Sequence, residues 1–366
     1  MVDIKSNLDD YKKKIDILND NMRESTEENK LEYLKDFLAD MPSEESRLYE
    51  LVVTMIVQKV PDVFKLLTGL FNKTKNNKDP ESEKISFTCF YAINIYYRRM
   101  KDTSRLKDFI EENRREYTND KHPIMYHLLS IYYKTLGGHY NMIKSLEYAK
   151  EASKRIEGHA GVLHNLAESI INVVNDGYAD PNDINKMIIE AEEAVDEAIR
   201  LDPDFPKFYS TKAQIMAAKG DYQDAYNLIK TAIDKEDSSA ADYPIRISGY
   251  IEVLFNIRIK ELSARTNEKM KEIESQMNGF RNQSIELLGL FAAVISFTVA
   301  SIQLVLNQPF NQGAMLLVVF SGCLLITYSS LSIILHGKTY WQRSLLVFLI
   351  GLLLTLLPII YMNGGF

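Results

Sequence analysis

Cysteine is nearly missing from this 366-residue chain: only Cys89 and Cys323 occur. One lies ahead of the long apolar runs and the other inside one of them, so neither a disulfide framework nor a CxxC metal site is expected. Chemistry-bearing motifs are missing as well. There is no GxxxxGK[ST], no GxGxxG after a strand and no GxSxG. Of the six histidines, His122/His127 and His159/His164 are spaced by five, which puts each pair on different helix faces without HExxH company. They read as surface or groove polarity, and no catalytic, cofactor or metal residue is assigned. The start, MVDIKSNLDDYKKK, has no apolar h-region. The residues before the first long apolar run are therefore expected to stay in the cytoplasm. Positive charge is scarce too. The chain carries −7, and its last stretch holds only Glu286, Lys338 and Arg343, which leaves −8 on residues 1–283. That balance disfavours nucleic acid, which needs a positive surface to displace counterions, and broad adhesion to anionic lipid.

What the C-terminal part lacks in charge it has in long hydrophobic runs. Ile285–Leu306, Ala314–Leu335 and Ser344–Tyr361 are the expected transmembrane helices. A hydrocarbon core about 30 Å thick takes about 20 helical residues, so the third is only just long enough. The earlier run 51–71 is broken by Gln58, Lys59, Asp62 and Lys65 and reads as two amphipathic helices. Lys269, Lys271 and Arg281 precede the first span, and Lys338 and Arg343 sit with Tyr340 and Trp341 in the second loop. The loop NQPFNQG and the tail MNGGF carry no charge. Both basic flanks fall on one side, which predicts N-inside, C-outside. The Lys/Asn/Ile/Tyr-rich composition fits a bacterial chain from an AT-rich genome, and so a multi-pass protein of the bacterial cytoplasmic membrane.

Residues 1–250 show almost no alternating strand pattern. Their helical periodicity is punctuated at Met41-Pro42-Ser43, Asn72–Glu83, Asn119–Pro123, Leu136-Gly137-Gly138, Asn175–Asp183 and Asp202–Pro206. The intervals suit paired antiparallel helices. Within 206–235, Tyr209, Ala213 and Met216 share one helical face, Gly220-Asp221-Tyr222 makes a turn, and Ala225, Ile229 and Ala232 face back. The preceding copy closes with AEEAVDEAIRLDPDFP; its first helix, Gly161–Val174, bears Leu166, Ala167 and Ile170, and its turn is stretched by NDGYADPNDIN. A third copy spans Pro123–Lys154 with Leu129, Tyr133, Ala149 and Ala152. Phe87–Met100 and Ser104–Tyr117 form a hairpin without the small residues. The pattern resembles the tetratricopeptide repeat (TPR). The resemblance implies a right-handed stack of helical hairpins with a concave groove that takes a protein or peptide partner. Its groove positions fall on Lys207, Ser210, Thr211 and Gln214, which depart from the family's Lys/Asn carboxylate clamp. The expected fold is thus all-α: an N-terminal helical region (1–83), a TPR-like solenoid (84–245), a connecting helix (246–283) and three transmembrane helices (284–366).

In the connecting stretch Ile259, Leu262, Thr266, Met270, Ile273, Met277 and Phe280 recur every three or four residues. Two readings stand, a short coiled coil or a solvated helix packing back on the repeats. Either way the helix can run on into the first span. There Gly289, Ala292, Ser296 and Ala300 put small side chains on one face, a spacing that permits close helix packing and a homo-oligomer. The polar groups of Thr298, Gln303, Ser321, Thr327, Tyr328, Ser329 and Ser330 are read as satisfying each other or bonding back to helix carbonyls rather than lining a pore. Two functions follow. The first is a non-enzymatic scaffold or sensor anchored by its spans. The second is a membrane effector whose spans oligomerise and permeabilise the bilayer, since 281–305 resembles the membrane modules of bacterial antiphage defence effectors.

Overall fold

The computed structural model describes residues 4–118, 121–238, 242–336 and 341–363. Asn119, Lys338, Tyr340 and the last three residues, which entered the loop and topology expectations, lie outside them. Among the described residues every regular element is a helix, fifteen in all: α1 (Ile4–Met22), α2 (Glu27–Ala39), α3 (Arg47–Lys59), α4 (Val63–Thr74), α5 (Pro80–Arg99), α6 (Thr103–Tyr117), α7 (Ile124–Leu136), α8 (His139–Arg155), α9 (Ala160–Asn175), α10 (Ile184–Leu201), α11 (Pro206–Lys219), α12 (Tyr222–Asp234), α13 (Tyr243–Leu306), α14 (Phe310–His336) and α15 (Trp341–Asn363). They fall into two compact units, Met1–Leu262 and Ser263–Phe366.

The first unit is a run of consecutive helical hairpins, consistent with a repeat array. Three cores follow one another along the chain. The first is built mainly from α1–α7, the second from α8–α11, and the third from α11–α13. Short side chains set the helix spacing: Ala149, Ala191, Ala198, Ala213, Ala225 and Ala232 have no exposed surface. The α11–α12 hairpin carries the repeat pattern in full. Its turn works because Gly220 takes φ +92°, a left-handed conformation open to glycine, so that Asp221 N–H reaches Met216 O at 2.9 Å and closes the helix end. The stretched α9–α10 turn is held by Tyr178, which stacks on His139 with ring centroids 4.6 Å apart. One boundary differs from expectation. The polar stretch through Glu83 is not wholly loop, because Asp79 Oδ1 accepts from Ser82 N–H at 2.9 Å and Pro80 opens α5. A cap and a proline at the first position start a helix whatever the polarity around them.

In the second unit α14 and α15 lie antiparallel and close. A Cβ built on Gly322 would meet Gly351 O at 2.7 Å, and one on Gly351 would meet Gly322 O at 2.8 Å. Seven residues on, the pair is fastened again by Ser329 Oγ donating to Ser344 O at 2.5 Å. α13 touches α14 through Phe297 and Phe320, edge to face at 5.6 Å. Among the described residues two helices are long and apolar enough to cross a membrane, Tyr243–Leu306 and Phe310–Ser330. The expectation of three such helices is corrected to two, since the third apolar stretch, Gln342–Pro358, is shorter. At about 1.5 Å per residue it extends to roughly 26 Å against a core of about 30 Å. The expected continuation of the connecting helix is observed: α13 runs from Tyr243 to Leu306 without a break, through Gly279.

Candidate functional site

The groove positions named from sequence separate into two kinds. Ser210 and Thr211 are buried in α11, at 4 % and 1 % exposure, and Thr211 Oγ1 lies 2.9 Å from His164 Nε2. Lys207 and Gln214 reach further out. Lys207 is already engaged, however, with its Nζ 2.8 Å from Glu168 Oε1. Glu168 also takes the ammonium of Lys134, which donates to Asn165 Oδ1 at 2.8 Å. Asn165 Nδ2 donates in turn to Ser130 Oγ at 2.7 Å, and Ser145 links Ser130 to Ser169 at 3.3 Å each way. One polar seam thus crosses α7, α8, α9 and α11. Burial alone would raise the Glu168 carboxyl, but the charges of Lys134 and Lys207 outweigh it and hold the group well below the usual carboxylate range. Burial pushes His164 down to about 3, so the ring stays neutral.

A second buried cluster surrounds Glu50. Arg47 Nη1 lies 2.5 Å from Glu50 Oε2, with Asp202 at 3.6 Å from Arg47 Nε and the Phe205 ring 4.7 Å from the guanidinium. His127 Nε2 is 3.5 Å from Glu50 Oε1. This cluster needs Gly161, because a Cβ there would meet Glu50 Oε2 at 2.4 Å and Arg47 Nη1 at 2.8 Å. His159 caps α9 with its Nδ1 accepting from Val162 N–H at 3.1 Å. Burial depresses it to about 4, which suits a ring used as an acceptor. The histidines read from sequence as surface or groove polarity are therefore corrected. His122, His127, His159 and His164 are each at least nine-tenths buried. Sequence spacing missed this because the partners come from elsewhere in the chain: His122 meets Glu44, and its ring stacks on Phe87 at 4.0 Å.

Gln214 opens onto a cleft of about 360 Å³ between α9, α11 and the start of α13. Its polar lining is Asn172, Asn175, Asp176, Gln214, Asn256 and Lys260. Lys260 Nζ donates to Asn175 Oδ1 at 2.5 Å, and burial lowers its pKa against the pull of Asp176. Each carboxamide offers both a donor and an acceptor, which is the chemistry that matches the alternating N–H and C=O groups of an extended polypeptide. Among the described residues no three His, Cys, Asp or Glu side chains are placed to hold a metal ion.

On the first apolar helix Gly289, Ala292, Ser296 and Ala300 are all exposed within the chain, and a Cβ on Gly289 would meet nothing within 4 Å. The close glycine contact lies instead between Gly322 and Gly351. Neither glycine belongs to a glycine or alanine repeat at four-residue spacing that would reveal it in the sequence. Four of the hydroxyls bond back, among them Thr298 to Val294 O at 2.8 Å, Ser321 to Leu317 O at 2.8 Å and Ser330 to Ile326 O at 2.9 Å, with Thr327 the fourth, whereas Ser329 donates across to Ser344 O. The chain matches no protein-family model and no curated protein.

Proposed function

We propose that the chain is a non-enzymatic scaffold or sensor of the TPR type, held at the cytoplasmic face of a bacterial membrane, which takes a protein or peptide partner in the α9–α11–α13 cleft. The observation that carries this reading is the carboxamide lining of that cleft, with Gln214 and Asn256 on one accessible surface. The apolar helices α13 and α14 supply the anchor, with the basic flanks of α13 and of the α14–α15 loop inside. Affinity capture with the full chain, extracted from membranes in mild detergent, tests it. A Gln214→Ala/Asn256→Ala chain of unchanged helix content is expected to lose its captured partner. Equal capture by both chains would overturn the groove reading.

A second reading, a membrane effector, is favoured by one observation: the small-residue face Gly289, Ala292, Ser296 and Ala300 is left uncovered by the chain's own helices. Expression under the triggering condition is then expected to collapse the membrane potential, and Ser296→Leu to abolish the collapse. A potential that stays intact under every condition leaves the scaffold.

A further inference from the structure

At the start of the second unit α13 passes through a stretch in which every residue from 262 to 283 is exposed. That stretch is nevertheless amphipathic. Met270, Ile273, Met277 and Phe280 stand 62, 53, 67 and 73 % exposed on one side, and the first three line one shallow groove. Their spacings of three, four and three continue a heptad whose core positions are Thr266, Met270, Ile273, Met277, Phe280 and Ser284. The outward positions other than Gly279 are polar: Glu268, Lys271, Glu272, Ser275, Asn278 and Asn282. A helix solvated on all sides has no need of two methionines, an isoleucine and a phenylalanine in a seam.

We propose that residues 266–284 form a parallel two-stranded coiled coil with a second copy of this chain. The flanking charges point to that occupant. In the heptad frame Lys269 takes position g and Glu274 position e, and in a parallel pair each g residue faces the partner's e residue five places on. Lys269 of one chain then meets the partner's Glu274, and by symmetry the same contact forms twice. Gln276 and Arg281 stand in the same relation one heptad later. The parallel sense follows from the bilayer: the apolar part of α13 begins directly after the seam, so two anchored copies enter the membrane in the same direction. This step rests on the membrane reading above. Two heptads with serine and threonine at the seam ends are weak in water, and confinement to one membrane raises the effective concentration that holds them.

The seam also constrains the small-residue face. At about 100° per residue, Gly289, Ala292, Ser296 and Ala300 lie roughly a third of a turn around α13 from the Met270–Phe280 stripe. One straight dimer contact cannot use both. The dimer forms outside the bilayer, and the small-residue face stays free.

Disulfide trapping in native membranes tests the inference, in the full chain with Cys89→Ala and Cys323→Ala. Recovery in the membrane pellet, resistant to alkaline wash, is checked first; a chain found only in the supernatant defeats the membrane reading by itself. With the chain in the pellet, oxidation is expected to link Ile273→Cys and Met277→Cys about ten-fold more than Ser275→Cys and Asn282→Cys, because only seam positions come within disulfide reach. Lys269→Glu is expected to lower the Met277→Cys yield about five-fold, and Lys269→Glu/Glu274→Lys to restore it, a rescue that separates charge pairing from misfolding. Equal yields at all four positions, absence of linking, or linking at Ala292→Cys and Ser296→Cys alone would each overturn the coiled coil.

Discussion

The two units bury polar groups in opposite ways. In the hairpin array charged and aromatic polar side chains sink deep and find partners far along the sequence, as Glu168 finds Lys134 and Lys207. In the apolar unit most hydroxyls close onto a carbonyl of their own helix, four residues back, and ask nothing of a neighbour. The difference follows from what drives each assembly. Water pays out free energy for burying apolar surface, so the array can afford a polar seam among alanine, leucine and isoleucine. α14 and α15 approach on the glycine pair Gly322 and Gly351; in the bilayer proposed for them lipid offers no such drive, and close packing is what remains.

The comparison breaks hardest at Glu168. Glu168→Ala leaves the Lys134 ammonium buried without its counter-charge, and is expected to cost about 3–5 kcal/mol, whereas Glu168→Met/Lys134→Met stays within about 1–2 kcal/mol of the parent. Urea titration of the full chain in detergent, followed by far-UV dichroism, separates the two. A double variant as unstable as the single would show that the seam holds the array through shape rather than charge.

Acid attacks both buried clusters, through His164 beside the Glu168 seam and His159 beside Glu50. His164 and His159 are held at about 3 and about 4, below the ordinary 6.5. As pH falls through 6.5 the unfolded chain takes up protons that the folded array refuses, so stability is complete above that value and drains below it. The expected loss is about 1.4 kcal/mol per pH unit for each ring, roughly 3 kcal/mol for the two at pH 5.5. His164→Gln should halve the slope of Tm against pH between 6.5 and 5. A slope unaltered by that change would place the titration elsewhere.

How much of this was legible in the sequence depends on how far each interaction reaches. The α11–α12 hairpin was readable because Ala213, Ala225 and Gly220 act within 13 residues of one another. The run of the connecting stretch into the first apolar helix was readable from composition and from the absence of proline between Tyr250 and Phe280. The start of α5 was hidden because the cap Asp79 looks like every other polar residue around it. Of the groove positions named from sequence, Gln214 lines the cleft while Lys207 is taken up by Glu168, and neither set of partners was legible. Glu168 lies 39 residues before Lys207, and the carboxamides facing Gln214 come from α9 and α13, distances over which helical periodicity carries no information. The buried histidines were misread for the same reason. The third span was overcounted because its length, read as only just sufficient, left no margin, and the apolar helix Gln342–Pro358 falls short.

The smallest expected effects belong to the apolar unit, and they sharpen the contrast. Thr327→Val removes a hydroxyl that bonds only to its own helix, at Cys323 O and Leu324 O, and is expected to change stability by about 0.5 kcal/mol or less. Gly322→Leu, on the facing surface of the same helix, meets Gly351 O and the Thr355 backbone inside 3 Å. Backbone cannot swing aside as a side-chain tip can, so this change is expected to cost about 1–3 kcal/mol by forcing α14 and α15 apart. The linking yield of a Ser329→Cys/Ser344→Cys pair in membranes reads the separation directly, since those positions are already in contact in the parent. A yield that falls with Gly322→Leu and holds with Thr327→Val is the signature of a pair fastened by close approach. The reverse order would mean that hydrogen bonding, and not packing, holds the apolar helices, and the contrast with the array would disappear.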